Sequence, residues 1–203
     1  MNLIEAQSIA ENICSVLASA CKRIEIAGSI RRRKAEPGDI EIVAVPDLRM
    51  PHATFGRPCY SSALDMILDS LQYPYDGNLC LQLCKGGHRF KQFGVSTDGG
   101  QTYTIKLDLF IVTPPADFGV IYLIRTGPKE FSQWIVTQRF LGGGLPNGYR
   151  VEGGRVISHD GKHMPYPKEI DFLNFCRLCW IEPKNRRPLW LRPVRKIVVH
   201  NTV

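Results

Sequence analysis

Ala27-Gly28-Ser29-Ile30-Arg31-Arg32, followed a few residues on by Gly38-Asp39-Ile40-Glu41-Ile42-Val43, is the stretch on which the reading of this chain turns. The alternation from Arg23 to Ala27, with β-branched Ile24 and Ile26, predicts a strand that ends at Gly28-Ser29. Glycine lets a phosphate approach the backbone and serine adds a hydroxyl donor. Arg31 and Arg32 add planar charged forks that match phosphate oxygens. Asp39 to Val45 predicts a second strand, on which Asp39 and Glu41 share one face by the period of two. A third acid, Asp108, lies in the alternating strand expected over 102–112. If that strand neighbours the Asp39 strand, three carboxylates converge, which is costly unless divalent cations neutralise them. An Asp-x-Glu pair alone fits the solvated face of an edge strand better than a site. The Gly-Ser-x-Arg-Arg run directly upstream tips the reading toward chemistry.

Outward from this stretch, apolar residues from Leu3 to Ala20 recur at helical spacing and predict an amphipathic helix over 3–20. Residues 46–60 read as a loop rich in Pro and small side chains, and 61–71 as a helix capped by Ser61 or Ser62. A strand is expected over 79–84, and the glycine-rich segment between it and the Asp108 strand reads as turns and a hairpin. Pro114-Pro115 marks a boundary, since neither residue can continue a ladder. Beyond it come a helix over 128–141 stopped by Gly142-Gly143-Gly144, a hairpin over 149–157 turning at Gly153-Gly154, and a helix over 169–180. A basic tail begins at Arg186.

The 203 residues carry 26 Lys and Arg against 19 Asp and Glu, a formal charge of +7. That balance points to a polyanionic partner such as nucleic acid or a nucleotide. With 44% hydrophobic and 22% charged residues, wholesale disorder is excluded. At about 150 residues per domain, the length allows one domain or two small ones. Seven cysteines are an odd number and argue against a secretory disulfide framework. Cys176 and Cys179 fall in an apolar helical run and read as core. No apolar run approaches the roughly 18 residues of a membrane span. A soluble, intracellular protein is expected.

The Gly28-to-Glu41 signature resembles that of the nucleotidyltransferase superfamily, and within it the family X DNA polymerases typified by DNA polymerase beta. Further stretches are similar to the same family: Cys84-Lys85-Gly86-Gly87-His88-Arg89-Phe90, Lys106-Leu107-Asp108-Leu109, Gly119-Val120 to Thr126-Gly127, and Ile181-Glu182-Pro183-Lys184-Asn185-Arg186. The likeness runs over roughly residues 10–188 in order and spacing. It implies an α+β fold: a nucleotidyltransferase palm over 1–115, built on a mixed sheet, a small thumb over 116–188, and a basic tail over 189–203. It also implies a DNA polymerase that fills short gaps in repair, works as a monomer on primed DNA and deoxynucleoside triphosphates, and releases pyrophosphate by a two-metal mechanism with Mg²⁺, or Mn²⁺ in its place. Asp39, Glu41 and Asp108 match the catalytic metal ligands. Gly28, Ser29, Arg32, Gly38, Thr126 and Gly127 match nucleotide contacts. Lys85 and Arg89 match contacts to DNA, and the tail residues Arg192, Arg195 and Lys196 are added to these on charge alone.

The chain also departs from the family. Glu41 stands where the family has Asp, one methylene longer. Ile124-Arg125 replaces the aromatic pair before the Thr-Gly turn, so the ring that discriminates the sugar is missing. Ser132 and Val136 replace polar groups of the thumb helix. Two other readings use the same residues: a template-independent nucleotidyltransferase acting on another acceptor, and a catalytically weak DNA-binding module.

Overall fold

The computed structural model describes residues 1–48, 62–73 and 79–187, and the backbone of 53–54 and 57–58. Its architecture is mixed α+β. Helix α1 (Leu3–Leu17) starts at Asn2, whose side-chain oxygen accepts from the Glu5 amide at 2.9 Å. That contact satisfies one of the amides a helix N-terminus leaves open. Ala6, Ala10, Ile13 and Leu17 form its buried stripe. A 3-10 turn leads to strand β1 (Cys21–Ile26), then a single helical turn α2 (Gly28–Arg31), then β2 (Ile40–Pro46) antiparallel to β1. Two-residue strands β3 (Ala53–Thr54) and β4 (Arg57–Pro58) pair inside the expected loop, whose residues 49–52, 55–56 and 59–60 lie outside the described residues. Ser62 opens α3 (Ala63–Ser70) with a reciprocal cap: its hydroxyl accepts from the Asp65 amide at 3.1 Å, and the Asp65 carboxylate accepts from the Ser62 amide at 3.2 Å.

Strands β5 (Cys80–Lys85), β6 (Phe90–Ser96) and β7 (Ile105–Ile111) complete a five-stranded sheet of order β1-β2-β7-β6-β5. The β2/β7 pair is parallel and the other three are antiparallel. β6 is the return strand of the expected hairpin, longer than a reading dominated by turns suggests. Most of its glycines flank the strand, while Phe93 and Val95 inside it are buried in the core. Gly94 faces the Tyr103 ring, and a Cβ there would come within 3.1 Å of it.

Three apolar clusters hold the chain. In the first, α1 and α3 cover the sheet, with Ile13, Leu17, Leu64, Leu68, Ile42 and Leu107 at its centre. The second gathers residues from 120 onward, including Leu123, Phe131, Trp134, Val156 and Phe172. The third joins them: Ala27, Val43 and Phe110 meet Phe118 and Tyr122 of helix α4 (Phe118–Thr126). Helix α4 therefore buries two faces and shows no single apolar stripe in the sequence.

Helix α5 (Lys129–Val136) is shorter than the expected 128–141. Thr137 is extended, and the Trp134 and Thr137 carbonyls accept from the Gly144 and Leu145 amides at 2.8 and 2.9 Å. The chain thus folds back on the helix end, closely enough that a Cβ on Gly143 would lie 1.9 Å from the Thr137 carbonyl oxygen. Strands β8 (Tyr149–Glu152) and β9 (Arg155–Ser158) form the expected hairpin, with left-handed Gly153 and Gly154 at its turn, and β10 (His163–Met164) adds a third strand. Helix α6 (Glu169–Phe175) stops before the expected end at Trp180. Arg177 turns left-handed at φ 58°, and the Leu178 amide returns to the Leu173 carbonyl at 2.9 Å. This closure more often uses glycine, so the sequence gives no stop signal there. Of the cysteine pair expected in the core, Cys176 is buried and Cys179 is exposed. Among the described residues no helix is long and apolar enough to cross a membrane.

Candidate active site

The parallel pairing of β2 with β7 sets Glu41 directly opposite Asp108. Asp39 lies two positions before Glu41, at the mouth of β2. The strand expected to neighbour the Asp39 strand is thus its neighbour, and the register brings the acids together. On the other side of β7, Gln92 of β6 sits across from Asp108 and donates from Nε2 to its Oδ1 at 2.8 Å. That bond fixes the Asp108 carboxylate, and among the described residues its second oxygen has no side-chain donor.

The electrostatics are those of a crowded acidic group. Burial, then Asp39, pushes the Glu41 carboxyl up to about 7, against the opposing pull of Arg32 and Arg125. Burial and Asp108 raise Asp39, with Arg32 and Lys34 acting the other way. Arg125 stacks over the Phe110 ring at 4.0 Å and interacts with both Glu41 and Asp108. Glu41 is packed onto Gly28, where a Cβ would fall 1.9 Å from Oε2. Gly28 also has φ +59°, so both its conformation and the close approach demand glycine.

Asp39 and Glu41 open into a cleft of about 610 Å³, together with Ser29, Arg32, Gly38 and Gly127. Ser29 is buried, and among the described residues its hydroxyl has no hydrogen-bond partner. Arg32 is committed elsewhere: its Nη1 donates to the Thr126 and Gly127 carbonyls at 2.8 and 3.1 Å. Arg31 donates to the Thr126 hydroxyl at 2.7 Å and, through both terminal nitrogens, to Glu169 at 2.9 and 2.8 Å. Thr126 is therefore buried as part of the joint between α2 and α4, and of the Thr-Gly pair only Gly127 lines the cleft. Gly38 has open space on its side-chain face.

Lys85 and Arg89 are exposed at the β5–β6 connection, where the Arg89 guanidinium lies against the Gly153 turn. Arg192, Arg195 and Lys196 lie outside the described residues. Arg186, counted with the basic tail, is instead buried: it donates to Glu169 at 2.7 Å. Three cleft residues have no sign in the sequence of being site groups: Lys34, Lys129 and Gln133. Lys129 had one usable signal, a cation placed at the first position of a helix, against its dipole.

Asp39, Glu41 and Asp108 are the residues that could hold a divalent cation. Their donors are hard oxygens, and their mutual repulsion is what such an ion relieves, so chemistry and charge fit Mg²⁺ or Mn²⁺. The cage itself is not formed: among the described residues no three His, Cys, Asp or Glu side chains stand arranged to hold a metal. The chain matches no protein-family model and no curated protein.

The raised Glu41 has a direct consequence for stability. A carboxyl whose folded pKa is about 7, against an ordinary 4.5, keeps its proton longer when folded. No penalty exists below pH ~4.5; it grows as pH rises through ~7 and then stays constant. Glu41→Gln removes it. The variant should match wild type in urea denaturation at pH 4 and exceed it by about 1–2 kcal/mol at pH 8, after discounting for solvent. Mg²⁺ should narrow the gap at pH 8 by stabilising wild type alone. Equal stabilities at pH 8 would show that Glu41 is not under strain from its neighbours.

Proposed function

We propose that this chain is a metal-dependent nucleotidyltransferase of the polymerase kind, which joins deoxynucleotides to a primer 3′-hydroxyl and releases pyrophosphate. The observation that carries the reading is the Glu41–Asp108 register pair with Asp39 beside it, where Asp39 and Glu41 line a cleft that also takes Arg32, Lys34, Arg125 and Lys129. Bound at Asp39, Glu41 and Asp108, Mg²⁺ would supply the charge neutralisation that phosphoryl transfer needs. Asp108, held on one oxygen by Gln92, keeps the other for orienting the primer hydroxyl and taking up its proton. The Ser29 hydroxyl donates to a phosphate oxygen. Arg31 and Arg32 position the Thr126–Gly127 turn that bounds the cleft. Lys85 and Arg89 face the DNA backbone, and single-nucleotide gaps in repair are the substrate on which such a small polymerase acts as a monomer.

A gapped-duplex extension assay with Mg²⁺ or Mn²⁺ tests this. The expected product is a primer longer by one templated nucleotide, with pyrophosphate released in equal amount. Untemplated addition on single-stranded ends would favour the template-independent reading. DNA binding with no addition under either metal would leave a binding module and overturn the enzyme assignment.

A further inference from the structure

The sequence points to Arg32 as the principal phosphate cation, yet its Nη1 is tied to two main-chain carbonyls. The cleft holds three other cations, Lys34, Arg125 and Lys129; Arg125 lies over the Phe110 ring and faces Glu41 and Asp108, which leaves the two lysines. Lys34 follows α2, where Arg33 turns left-handed at φ 57° and the Lys34 amide returns to the Ser29 carbonyl at 3.0 Å. This reversal brings Lys34 to the cleft wall. Lys129 is the first residue of α5 and lines the same cleft. Both lysines are exposed, and among the described residues neither is in an ion pair.

Two further observations mark an anion between them. The N-terminus of α5, whose first residue lines the cleft, has no side-chain cap to satisfy its open amides. A lysine there works against the helix's positive pole unless an anion sits beside both. Ser29 lines the same cleft, is only 6% exposed, and among the described residues its hydroxyl has no partner. A buried hydroxyl left unbonded is costly and marks a position where a ligand completes the structure.

We propose that Lys34 and Lys129 are the two arms of a polyphosphate clamp, gripping the phosphate chain of a nucleoside triphosphate between the Ser29 turn and the start of α5. The clamp rests on the nucleotidyltransferase reading and names the cations it uses. Because one arm stands on the α2 turn and the other on α5, a long phosphate chain engages both, while a single phosphate reaches one.

Calorimetric titration of the full chain with sodium tripolyphosphate, and separately with inorganic phosphate, in buffer containing Mg²⁺ tests the clamp. Lys34→Ala and Lys129→Ala should each weaken tripolyphosphate binding about tenfold and the double variant about a hundredfold. Inorganic phosphate should lose at most about tenfold even in the double variant, since it engages one lysine. Lys22→Ala, an exposed lysine on β1, removes the same charge elsewhere and should bind as wild type. Thermal unfolding of each variant verifies that the fold is kept. Failure of wild type to bind tripolyphosphate, or binding by the double variant within about twofold of wild type, overturns the clamp. Primer extension read alongside separates the two ideas: a protein that grips tripolyphosphate but extends nothing keeps the clamp and loses the polymerase reading. A protein that extends primers while the double variant binds unchanged does the reverse.

Discussion

Asp108→Ala is expected to leave the fold intact and to reduce primer extension by about 10³-fold or more. Its carboxylate faces Glu41 in register and is held by Gln92, so on the proposed reading it contributes several kcal/mol to the transition state, and about 4 kcal/mol corresponds to ~10³-fold in rate. The fold should not suffer, because losing one acid relieves Asp39 and Glu41 of a like charge. Asp108→Asn sharpens the test: it keeps the shape and an oxygen for Gln92 but not the charge. Single-turnover extension at saturating DNA and nucleotide reads the chemical step directly. Extension by either variant at near wild-type rate would remove Asp108 from the reaction and, with it, the main support for the assignment.

What the sequence made legible were features written locally. Strands β1, β2, β5 and β7 announce themselves by alternation, and Asp39, Glu41 and Asp108 by their places on them. The extent of β6 was hidden because glycines beside and within it read as turns, and only the Tyr103 ring against Gly94 explains why a strand keeps a glycine there. The break after α5 was hidden because its cause is a chain segment folding back onto Thr137. The acids could be paired in sequence only conditionally; the β2/β7 register that sets Glu41 against Asp108 is a tertiary fact. The arginines were the hardest to read. A guanidinium in a Gly-Ser-x-Arg-Arg run fits a phosphate, but it fits a carboxylate equally well, and the partner of Arg31 lies 138 residues away. Arg186, adjacent to exposed Arg187, looked like tail charge and is the most deeply buried cation among the described residues.

Glu169→Ala should destabilise the protein by about 3–5 kcal/mol, the cost of leaving buried charge unmatched. Glu169 accepts from Arg31 on both oxygens and from Arg186 at 2.7 Å, and the Arg186 side chain has no solvent exposure. Among the described residues one Arg186 nitrogen already lacks a partner, and none of them is placed to take over when the carboxylate goes. The size of the loss does not mean that the triad adds that much net stability: an apolar replacement of all three residues could cost little, whereas removing one member exposes the desolvation of the other two. Glu169→Gln keeps the shape and one acceptor, and should recover only part of the loss. Burial alone would raise the Glu169 carboxyl, but hydrogen bonds from Arg31 and Arg186 outweigh it and hold it below the usual carboxylate range. A depressed acid contributes stability above its unfolded pKa of 4.5 and loses it as pH falls through the folded value. The gap between wild type and Glu169→Ala in urea denaturation should therefore be full at neutral pH and shrink only below pH ~4.5. The same arginine that meets Glu169 also holds the Thr126 hydroxyl, while Arg32 holds the Thr126 and Gly127 carbonyls. The variant should thus weaken the joint that bounds the cleft, and hydrogen exchange at Thr126 and Gly127 should accelerate more than in the sheet. A loss below about 1 kcal/mol with unchanged exchange at that turn would show that the triad neither holds the two halves together nor shapes the site between them.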